Sequence, residues 1–314
     1  MATLPTFSPN VSSSVDRPSF AGLWIPLVTP FSGDAVDHAA LVALVRRLAP
    51  LGVAGFVACG STGEAAALDQ AEQLAVLDTV LAAAEGLPVM MGLSGYHLPQ
   101  LLEMQQAVAR RPVAALLVAA PCYVRPAQAG LLQWFTAIAD AGAVPLVIYD
   151  IPYRTGVAIT LPTLLALAAH PRIRAVKDCG GDAAKTQAVL ADGRLEVLAG
   201  DDLQIFSTMA LGGAGAIAAS AHRHTACFAG VVRLLAEGRL AEARALWLPL
   251  QPWIEGVFSE PNPAPLKAVL ARNGAMASLL RPPMTAASDA LVARLLRVDQ
   301  ALAAMLPPDE VNRR

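Results

Sequence analysis

Short apolar runs alternate with longer amphipathic segments from residue 23 onward, and this alternation constrains the fold more than any other feature of the sequence. A short apolar run bounded by turn residues is typical of a strand that is buried on both faces. Eight such runs follow one another along the chain: "LWIPLVTP" (23–30), "GFVACG" (55–60), "LPVMMGLS" (87–94), "AALLVAA" (114–120), "PLVIYDIP" (145–152), "IRAVKDC" (173–179), "LEVLAGDD" (195–202) and "GAIAAS" (215–220). The sequence therefore predicts a series of buried strands.

The segments between these runs have helical patterns. "DHAALVALVRRLAPLG" begins at Asp37 and "DQAEQLAVLDTVLAAAEG" begins at Asp69, and aspartate is favoured at the amino end of a helix. Strands that alternate with helices indicate βαβ units and a parallel sheet. We expect an α/β fold, a closed (β/α)8 TIM barrel, and the alternative is an open, doubly wound sheet. The barrel is favoured because no GxGxxG opens the first βα turn and because polar residues follow many of the strands.

The predicted catalytic barrel spans residues 21–240, and the flanking segments differ from it. Residues 1–20 are rich in Ser and Pro, which predicts a flexible tail, and they lack the basic start and apolar block of a signal peptide. After residue 240 the alternation stops, and residues 241–314 predict a C-terminal helical domain. The helices there could pair internally or within an oligomer, and both possibilities stay open.

Composition narrows the class of protein. Hydrophobic residues make up 55% of the 314 residues and charged residues 15%, which allows a large core. The formal net charge of −2 implies no basic face, so nucleic acid is not expected as a partner, and no segment is typical of a membrane span. The four cysteines are widely spaced and form no CxxC pattern, which indicates reduced thiols and a cytoplasmic location.

Lys177 is the foremost candidate for a reactive residue. In a TIM barrel the functional side chains follow the carboxyl ends of the strands, and Lys177 stands at the end of the sixth apolar run. Burial lowers the pKa of a lysine, and the neutral amine can attack a ketone to form a Schiff base that stabilises an adjacent carbanion. The alternative is a structural lysine that pairs with Asp178 or extends to solvent.

The turn "GSTG", residues 60–63, is a candidate for binding an oxyanion. Its backbone N–H groups and the hydroxyls of Ser61 and Thr62 can together hold the carboxylate of a 2-oxo acid. The alternative is an ordinary βα turn in which one of these hydroxyls caps the next helix.

Other polar residues follow the same predicted strands. Tyr149 and Tyr123 can transfer protons through a chain of hydroxyls, or can be half-buried tyrosines with satisfied hydroxyls. Arg154 can hold a carboxylate with two hydrogen bonds, or can be a solvent-facing loop arginine. His222 and His224 lie close together without further metal ligands nearby in the sequence, so we expect a solvated loop and no metal site.

Several motifs in the chain resemble those of one known family in order and spacing. They are "GSTGE", "YDIPYRTG", "VKDCGGD", "AGDD", "LGGAGAI", "EPNPAPLK" and "LRPPMT". The chain resembles the dihydrodipicolinate synthase / N-acetylneuraminate lyase family, whose members are Schiff-base aldolases that use pyruvate. The resemblance extends from Gly22 to Met284. It implies a (β/α)8 barrel with a C-terminal helical domain, no metal or organic cofactor, and a homotetramer built from tight dimers.

The resemblance also implies roles for residues that take part in the chemistry. Lys177 matches the lysine that forms an imine with pyruvate, and Tyr149 matches the tyrosine that relays protons at the imine carbon. Ser61 matches the relay hydroxyl. Tyr123 matches a second relay tyrosine, which in the family's dimers reaches into the neighbouring subunit's site.

Substrate-binding positions follow from the same resemblance. Thr62, two residues after Gly60 in the turn, matches the partner of the pyruvate carboxylate, and the backbone of Ile217 lies where the family lines the pyruvate pocket. Arg154 matches the arginine that receives the carboxylate of aspartate semialdehyde in the synthases, which sugar-acid lyases usually lack. We therefore expect condensation of pyruvate with L-aspartate 4-semialdehyde to 4-hydroxy-tetrahydrodipicolinate, a step toward lysine and diaminopimelate.

Two other functions stay open. One is a sister lyase that cleaves a 2-keto-3-deoxy sugar acid or a 4-hydroxy-2-oxo acid, since Ser61 stands where synthases commonly have threonine. The other is a non-catalytic sensor on the same barrel, although Lys177, Tyr149 and Tyr123 are all present. Regulation is also expected to differ from that of lysine-inhibited synthases. The places of their lysine-binding residues hold Gln70, Gln73, Tyr96, Gln100 and Cys122, which predicts an enzyme that is insensitive to lysine.

Overall fold

The computed structural model describes residues 19–305 of the chain. Residues 1–18, which make up most of the expected N-terminal tail, and residues 306–314 lie outside the described residues. Eight parallel strands close into a barrel. They are β1 Gly22–Pro26, β2 Gly55–Ala58, β3 Val89–Leu93, β4 Ala115–Ala119, β5 Leu146–Asp150, β6 Ile173–Asp178, β7 Glu196–Ala199 and β8 Gly215–Ile217. Each strand falls inside one predicted apolar run or begins one residue before it, so the predicted TIM barrel is confirmed.

A helix follows each strand on the outside of the barrel. These helices are α1 His38–Leu48, α2 Gln70–Ala83, α3 Leu98–Val108, α4 Gln128–Asp140, α5 Leu161–Leu167, α6 Ala183–Asp192, α7 Ile205–Ala210 and α8 Thr225–Ala236. Their amino ends confirm the predicted caps. Asp37 Oδ1 accepts a hydrogen bond from the Ala40 N–H at 2.9 Å, and Asp69 and Glu72 form a reciprocal capping box.

Three more helices follow the barrel: α9 Leu240–Phe258, α10 Ala264–Arg272 and α11 Asp289–Met305. Helix α9 packs against α8 and α11, and Arg223, which precedes α8, forms an ion pair of 2.8 Å with Asp299 of α11. The helices therefore pair within the chain and pack onto the barrel. The exact domain boundary at residue 240 stays a prediction. None of the helices described here is long and apolar enough to cross a membrane.

Apolar side chains form one core inside the barrel and another between the strands and the helices. Successive side chains of a strand point to opposite faces, so alternate residues of each strand enter the barrel. The interior side chains include Trp24, Val57, Met90, Leu117, Val147, Ala175, Leu198 and Ile217. Lys177 is two residues from both Ala175 and Cys179, which are interior residues, and it therefore enters the barrel at the carboxyl end of β6.

Candidate active site

Lys177 is a buried amine at the carboxyl end of the barrel. Only 5% of the residue is exposed, and its Nζ lies 4.1 Å from the centre of the Tyr149 ring, on the neighbouring strand. Asp178 does not pair with this lysine, because its carboxylate accepts hydrogen bonds from the Gly180 N–H and the Thr186 hydroxyl. Within residues 19–305 no ion pair holds the Lys177 ammonium. The structural alternatives for this lysine are therefore wrong.

The surroundings of Lys177 favour its neutral form. Burial lowers the pKa of the Lys177 amine, and the positive charge of Arg154 acts in the same direction. The charges of Cys179 and Asp202 oppose this effect without reversing it. A lysine whose pKa lies below its ordinary value supplies more of the nucleophilic amine at neutral pH.

Tyr149 keeps its proton under the same conditions. Burial raises the pKa of the Tyr149 phenol well above its ordinary value, and a hydrogen bond with Ser61 only partly offsets this. The phenol can therefore donate a proton to a group formed at Lys177, and the Ser61 hydroxyl extends the chain of hydroxyls. The structure thus places Tyr149 between Ser61 and Lys177, and the catalytic roles of these residues stay a prediction.

The "GSTG" segment forms a short 3₁₀ turn over Ser61–Gly63. The N–H groups of Gly63 and Glu64 donate to the carbonyls of Gly60 and Ser61, which leaves the N–H groups of Ser61 and Thr62 as the candidates for an anion. The Thr62 hydroxyl accepts a hydrogen bond from Asn262 Nδ2 at 3.0 Å. Helix α2 is capped by Asp69, so the helix-capping alternative for the turn hydroxyls is wrong.

A cavity of about 320 Å³ opens beside this turn. Its lining combines the turn with β5, the following loop and the C-terminal segment, and it includes Gly60, Ser61, Tyr149, Arg154, Asn262, Arg281 and Met284. Lys177, Thr62 and Ile217 are each at most 5% exposed and are absent from this lining. The Lys177 amine thus lies behind the cavity wall, against the Tyr149 ring.

Arg154 and Tyr123 are the exposed members of the predicted set. Arg154 stands on the short helix Pro152–Thr155 with its guanidinium carbon 5.7 Å from the centre of the Tyr153 ring, and it lines the cavity. Tyr123 is 88% exposed, with a positive φ of 70°, and it is absent from the lining. Within one chain the structure therefore brings Arg154 to the cavity and keeps Tyr123 apart from it.

Two functional features escaped the sequence reasoning because they join distant segments. Lys267 Nζ lies 2.7 Å from Glu64 Oε1 in a buried ion pair and donates to the Thr29 carbonyl at 2.8 Å. Asn262 contacts Thr62 across 200 residues of sequence. The signal available was a lysine and an asparagine inside the proline-rich "EPNPAPLK", a pattern that predicts buried partners only once the fold is known.

Residues after β6 and β7 also shape the site. A Cβ at Gly200 would lie 2.5 Å from Cys179 Sγ and 2.7 Å from Lys177 Cγ, so this position has room only for glycine. Asp202 is buried and accepts hydrogen bonds from the N–H and the hydroxyl of Ser220. Burial raises the pKa of Asp202 to about 6, against the effect of these hydrogen bonds.

The prediction of a solvated loop at His222 and His224 is wrong. His222 is fully buried: its Nδ1–H donates to the Ala219 carbonyl at 2.8 Å and its Nε2 accepts from the Val28 N–H at 3.2 Å. His224 is 8% exposed and lies 3.0 Å from Asp299. Both rings are buried because distant segments supply their partners. In the part of the chain that the structure describes, no group of three or more His, Cys, Asp or Glu is placed to hold a metal ion.

A lysine amine buried against a tyrosine, inside a closed parallel barrel and near the turn Ser61–Gly63, defines a barrel suited to Schiff-base chemistry. The sequence comparisons agree with this class. The family model of the Dihydrodipicolinate synthetase family matches residues 19–300. The chain belongs to this family.

Individual relatives match nearly the full length of the chain. A 4-hydroxy-tetrahydrodipicolinate synthase of Sorangium cellulosum is 38% identical over 277 residues, covering 86% of this chain and 92% of that protein. The 4-hydroxy-tetrahydrodipicolinate synthase 2 of Clostridium acetobutylicum is 34% identical over 278 residues, covering 87% and 97%. Among solved structures, a chloride-inhibited dihydrodipicolinate synthase of Acinetobacter baumannii complexed with pyruvate superposes with a TM-score of 0.88 at 29% identity, covering 91% and 99%.

Proposed function

We propose that this protein condenses pyruvate with L-aspartate 4-semialdehyde to give 4-hydroxy-tetrahydrodipicolinate and water, through an imine on Lys177. The observation that carries the proposal is the burial of the Lys177 amine against Tyr149, which is joined to Ser61. Related synthases of this name support the choice of substrates. A synthase of the same fold complexed with pyruvate supports the first of them.

The chemistry begins at the amine. Neutral Lys177 attacks the carbonyl carbon of pyruvate, and the oxygen leaves as water after it takes up protons, which leaves an imine. Tyr149, whose raised pKa keeps the phenol protonated, supplies a proton for this step through the chain that includes Ser61. The imine loses a proton from its methyl carbon to the hydroxyl chain and becomes an enamine. The enamine carbon attacks the aldehyde carbon, and the aldehyde oxygen takes up a proton from the same chain and becomes the new hydroxyl group. The amino group of the new chain then displaces Lys177 and closes the ring.

Two carboxylates need partners in this reaction. Thr62, with the N–H groups of the turn that begins at Gly60, holds the pyruvate carboxylate, and the backbone of Ile217 forms the opposite wall. Arg154 is exposed at the cavity and receives the carboxylate of the semialdehyde with two charge-assisted hydrogen bonds. The mechanism uses no metal or organic cofactor, since the imine formed on Lys177 is itself the electron sink.

Tyr123 has its role in an assembly. The side chain is 88% exposed beside Val124, which is 53% exposed, and such apolar exposure suits an interface. The protein is then a homotetramer of tight dimers in which Tyr123 of one subunit extends the proton relay of its neighbour. Sedimentation velocity tests the assembly. A cytoplasmic location belongs to the same proposal, because all four cysteines are free thiols.

Trapping the imine tests the chemistry. The protein is incubated with pyruvate, reduced with borohydride, digested and analysed by mass spectrometry. We expect a three-carbon adduct on Lys177 alone. An unmodified Lys177 would refute the mechanism.

The identity of the aldehyde needs a second experiment, in which the turnover of aspartate semialdehyde is compared with that of 2-keto-3-deoxy sugar acids. We expect turnover of the semialdehyde, and Arg154→Ala should lower its kcat/KM by about 10- to 100-fold, because a charge-assisted pair is lost. Pyruvate trapping should be unchanged in this variant. Faster cleavage of a sugar acid would instead identify a sister lyase.

A further inference from the structure

Asn262 lies between α9 and α10, far from the barrel strands in sequence, yet it contacts the catalytic turn. Its Nδ2 is 3.0 Å from the Thr62 hydroxyl oxygen. The Thr62 side chain is buried, and the Asn262 side chain lines the cavity. The C-terminal segment therefore reaches the residue that is expected to hold the pyruvate carboxylate.

The direction of this hydrogen bond determines which way the hydrogen of the Thr62 hydroxyl points. A carboxamide nitrogen donates and does not accept, so the Thr62 oxygen is the acceptor. The hydrogen of the hydroxyl must then point elsewhere, and among residues 19–305 Thr62 donates to no protein group. The hydroxyl is left as a donor, which is the polarity that a substrate carboxylate requires.

The segment that carries Asn262 is anchored to the same turn. Lys267 forms its buried ion pair with Glu64, which follows the turn, and donates to the Thr29 carbonyl. The Thr29 hydroxyl donates to the Gly63 carbonyl at 2.7 Å. These contacts hold Asn262 and Thr62 in one rigid unit, as a preorganised site requires.

The oxygen atom of the Asn262 amide indicates where a ligand could bind. Asn262 Oδ1 is buried and has no hydrogen-bond partner among the described residues. A buried acceptor without a partner is costly, which points to a ligand donor at this place in the cavity.

We infer that Asn262 is a positioning residue for the condensation reaction: it sets the Thr62 hydroxyl as a donor to the carboxylate of pyruvate. This inference rests on the proposed function, because it assumes that Lys177 binds pyruvate. A residue of the C-terminal segment is thereby added to the barrel residues that are proposed to bind pyruvate.

The test measures how much pyruvate is needed to label Lys177 in the intact protein. Asn262→Ala should raise the half-saturating pyruvate concentration for borohydride trapping by about tenfold, the effect of one lost hydrogen bond of this kind. Asn262→Asp, which has the same shape, should raise it further, because its carboxylate turns the Thr62 hydrogen away from the substrate. The KM for the aldehyde should change by less than about twofold in Asn262→Ala, since Arg154 holds that substrate.

A double-mutant cycle separates positioning from a structural effect. In a Thr62→Val background, Asn262→Ala should change the pyruvate requirement by less than about twofold, because the hydroxyl it acts on is gone. The inference would be overturned if Asn262→Ala raised the half-saturating pyruvate concentration equally in the unmutated and the Thr62→Val proteins. It would also be overturned if Asn262→Ala left this concentration unchanged. If Asn262→Asp left the pyruvate requirement unchanged, the amide oxygen and not the nitrogen would face the Thr62 hydroxyl. That result would also overturn the inference.

Failure of the proposed function gives a different result, because the unmutated protein would then show no pyruvate adduct at all. Asn262→Asp keeps the test decisive if the alanine variant does not fold, since it preserves the volume of the side chain.

Discussion

Tyr149 and Lys177 are register partners on β5 and β6, and the amine of one lies 4.1 Å from the ring centre of the other. The same burial acts on them in opposite ways. It lowers the pKa of the Lys177 amine and raises the pKa of the Tyr149 phenol. An amine that loses its proton more readily than an ordinary lysine therefore lies beside a phenol that keeps its proton, which is the combination that imine formation needs.

Removal of the Tyr149 hydroxyl should slow the chemistry and spare the fold. Tyr149→Phe keeps the ring against Lys177 but removes the acid, so kcat should fall by about 10²- to 10⁴-fold. Steady-state kinetics and circular dichroism measure the two properties. Tyr96→Phe is the matched control, because Tyr96 is 64% exposed and lies outside this cavity. Equal effects of the two substitutions would contradict the role of Tyr149.

Gly200→Ala should displace the reactive lysine. The added methyl group would come within 2.7 Å of Lys177 Cγ and 2.5 Å of Cys179 Sγ, and a buried lysine chain has little room to move. We expect slower pyruvate trapping at Lys177 in a protein that still folds. Gly230→Ala in α8 is the control, since its methyl would meet only the flexible end of Leu246, 3.3 Å away. Trapping at the unmutated rate in Gly200→Ala would contradict this account.

Loss of one partner of the buried ion pair should destabilise the protein. Lys267 and Glu64 have side chains that are 0% and 2% exposed, so Lys267→Met leaves a buried carboxylate without its cation. The free energy of unfolding in urea should fall by about 3–5 kcal/mol.

Two further variants check the cause of that loss. Adding Glu64→Gln to Lys267→Met should recover much of the stability, because the uncompensated charge is removed. Arg233→Ala breaks an exposed pair with Glu237 and should cost far less stability than Lys267→Met, because solvent screens the exposed charges. A loss in Lys267→Met no larger than that in Arg233→Ala would refute the argument.

Acid should destabilise the fold through His222. Burial lowers the pKa of His222 to about 4 from 6.5, so between these pH values the unfolded chain binds a proton that the folded protein does not. Stability from this group is therefore complete above pH 6.5 and falls as the pH drops toward 4, by roughly 3 kcal/mol.

The contribution of His222 can be isolated by difference. The pKa of Asp202, raised to about 6, has the opposite sign, because it stabilises the folded state as the pH falls. The difference in unfolding free energy between the unmutated protein and His222→Gln cancels the Asp202 effect. We expect that difference to shrink as the pH falls from 6.5 to 4. A constant difference would rule out a neutral, buried His222.

Lysine at low millimolar concentration should leave the reaction rate unchanged. One surface cavity of about 890 Å³ is lined by Gln70, Gln73, Tyr96 and Gln100, whereas Cys122 lines the cavity beside Ser61 and Tyr149. The acidic member of that surface lining is Asp69, whose Oδ1 is occupied by the Glu72 N–H at 2.8 Å. A site without a free carboxylate cluster binds the lysine amines weakly. Inhibition by half at low millimolar lysine would contradict this prediction.

The sequence predicted those features that local pattern determines. Strand positions follow from short apolar runs, and the caps at Asp37 and Asp69 follow from residue preference, so both could be placed without the fold. Lys177 could be placed at the carboxyl end of a barrel strand because it stands at the end of the sixth apolar run.

Features that depend on chain closure could not be predicted. The partners of His222 are the Val28 N–H and the Ala219 carbonyl, and nothing in "SAHRHT" indicates that the ring is buried between them. Asn262 and Lys267 are 200 and 203 residues from their partners Thr62 and Glu64. Such pairs are specified by the closed barrel and not by any local pattern.

The contact between the C-terminal segment and the turn Ser61–Gly63 has a consequence for engineering. A turn transplanted from a relative into residues 59–64 would be supported by Asn262 and Lys267 of this chain and no longer by the residues that support it in the relative. The unit to be transplanted is therefore discontinuous and comprises residues 59–64 together with residues 260–284. A chimera joined at residue 240 would take these two segments from different proteins, so their contacts would not match.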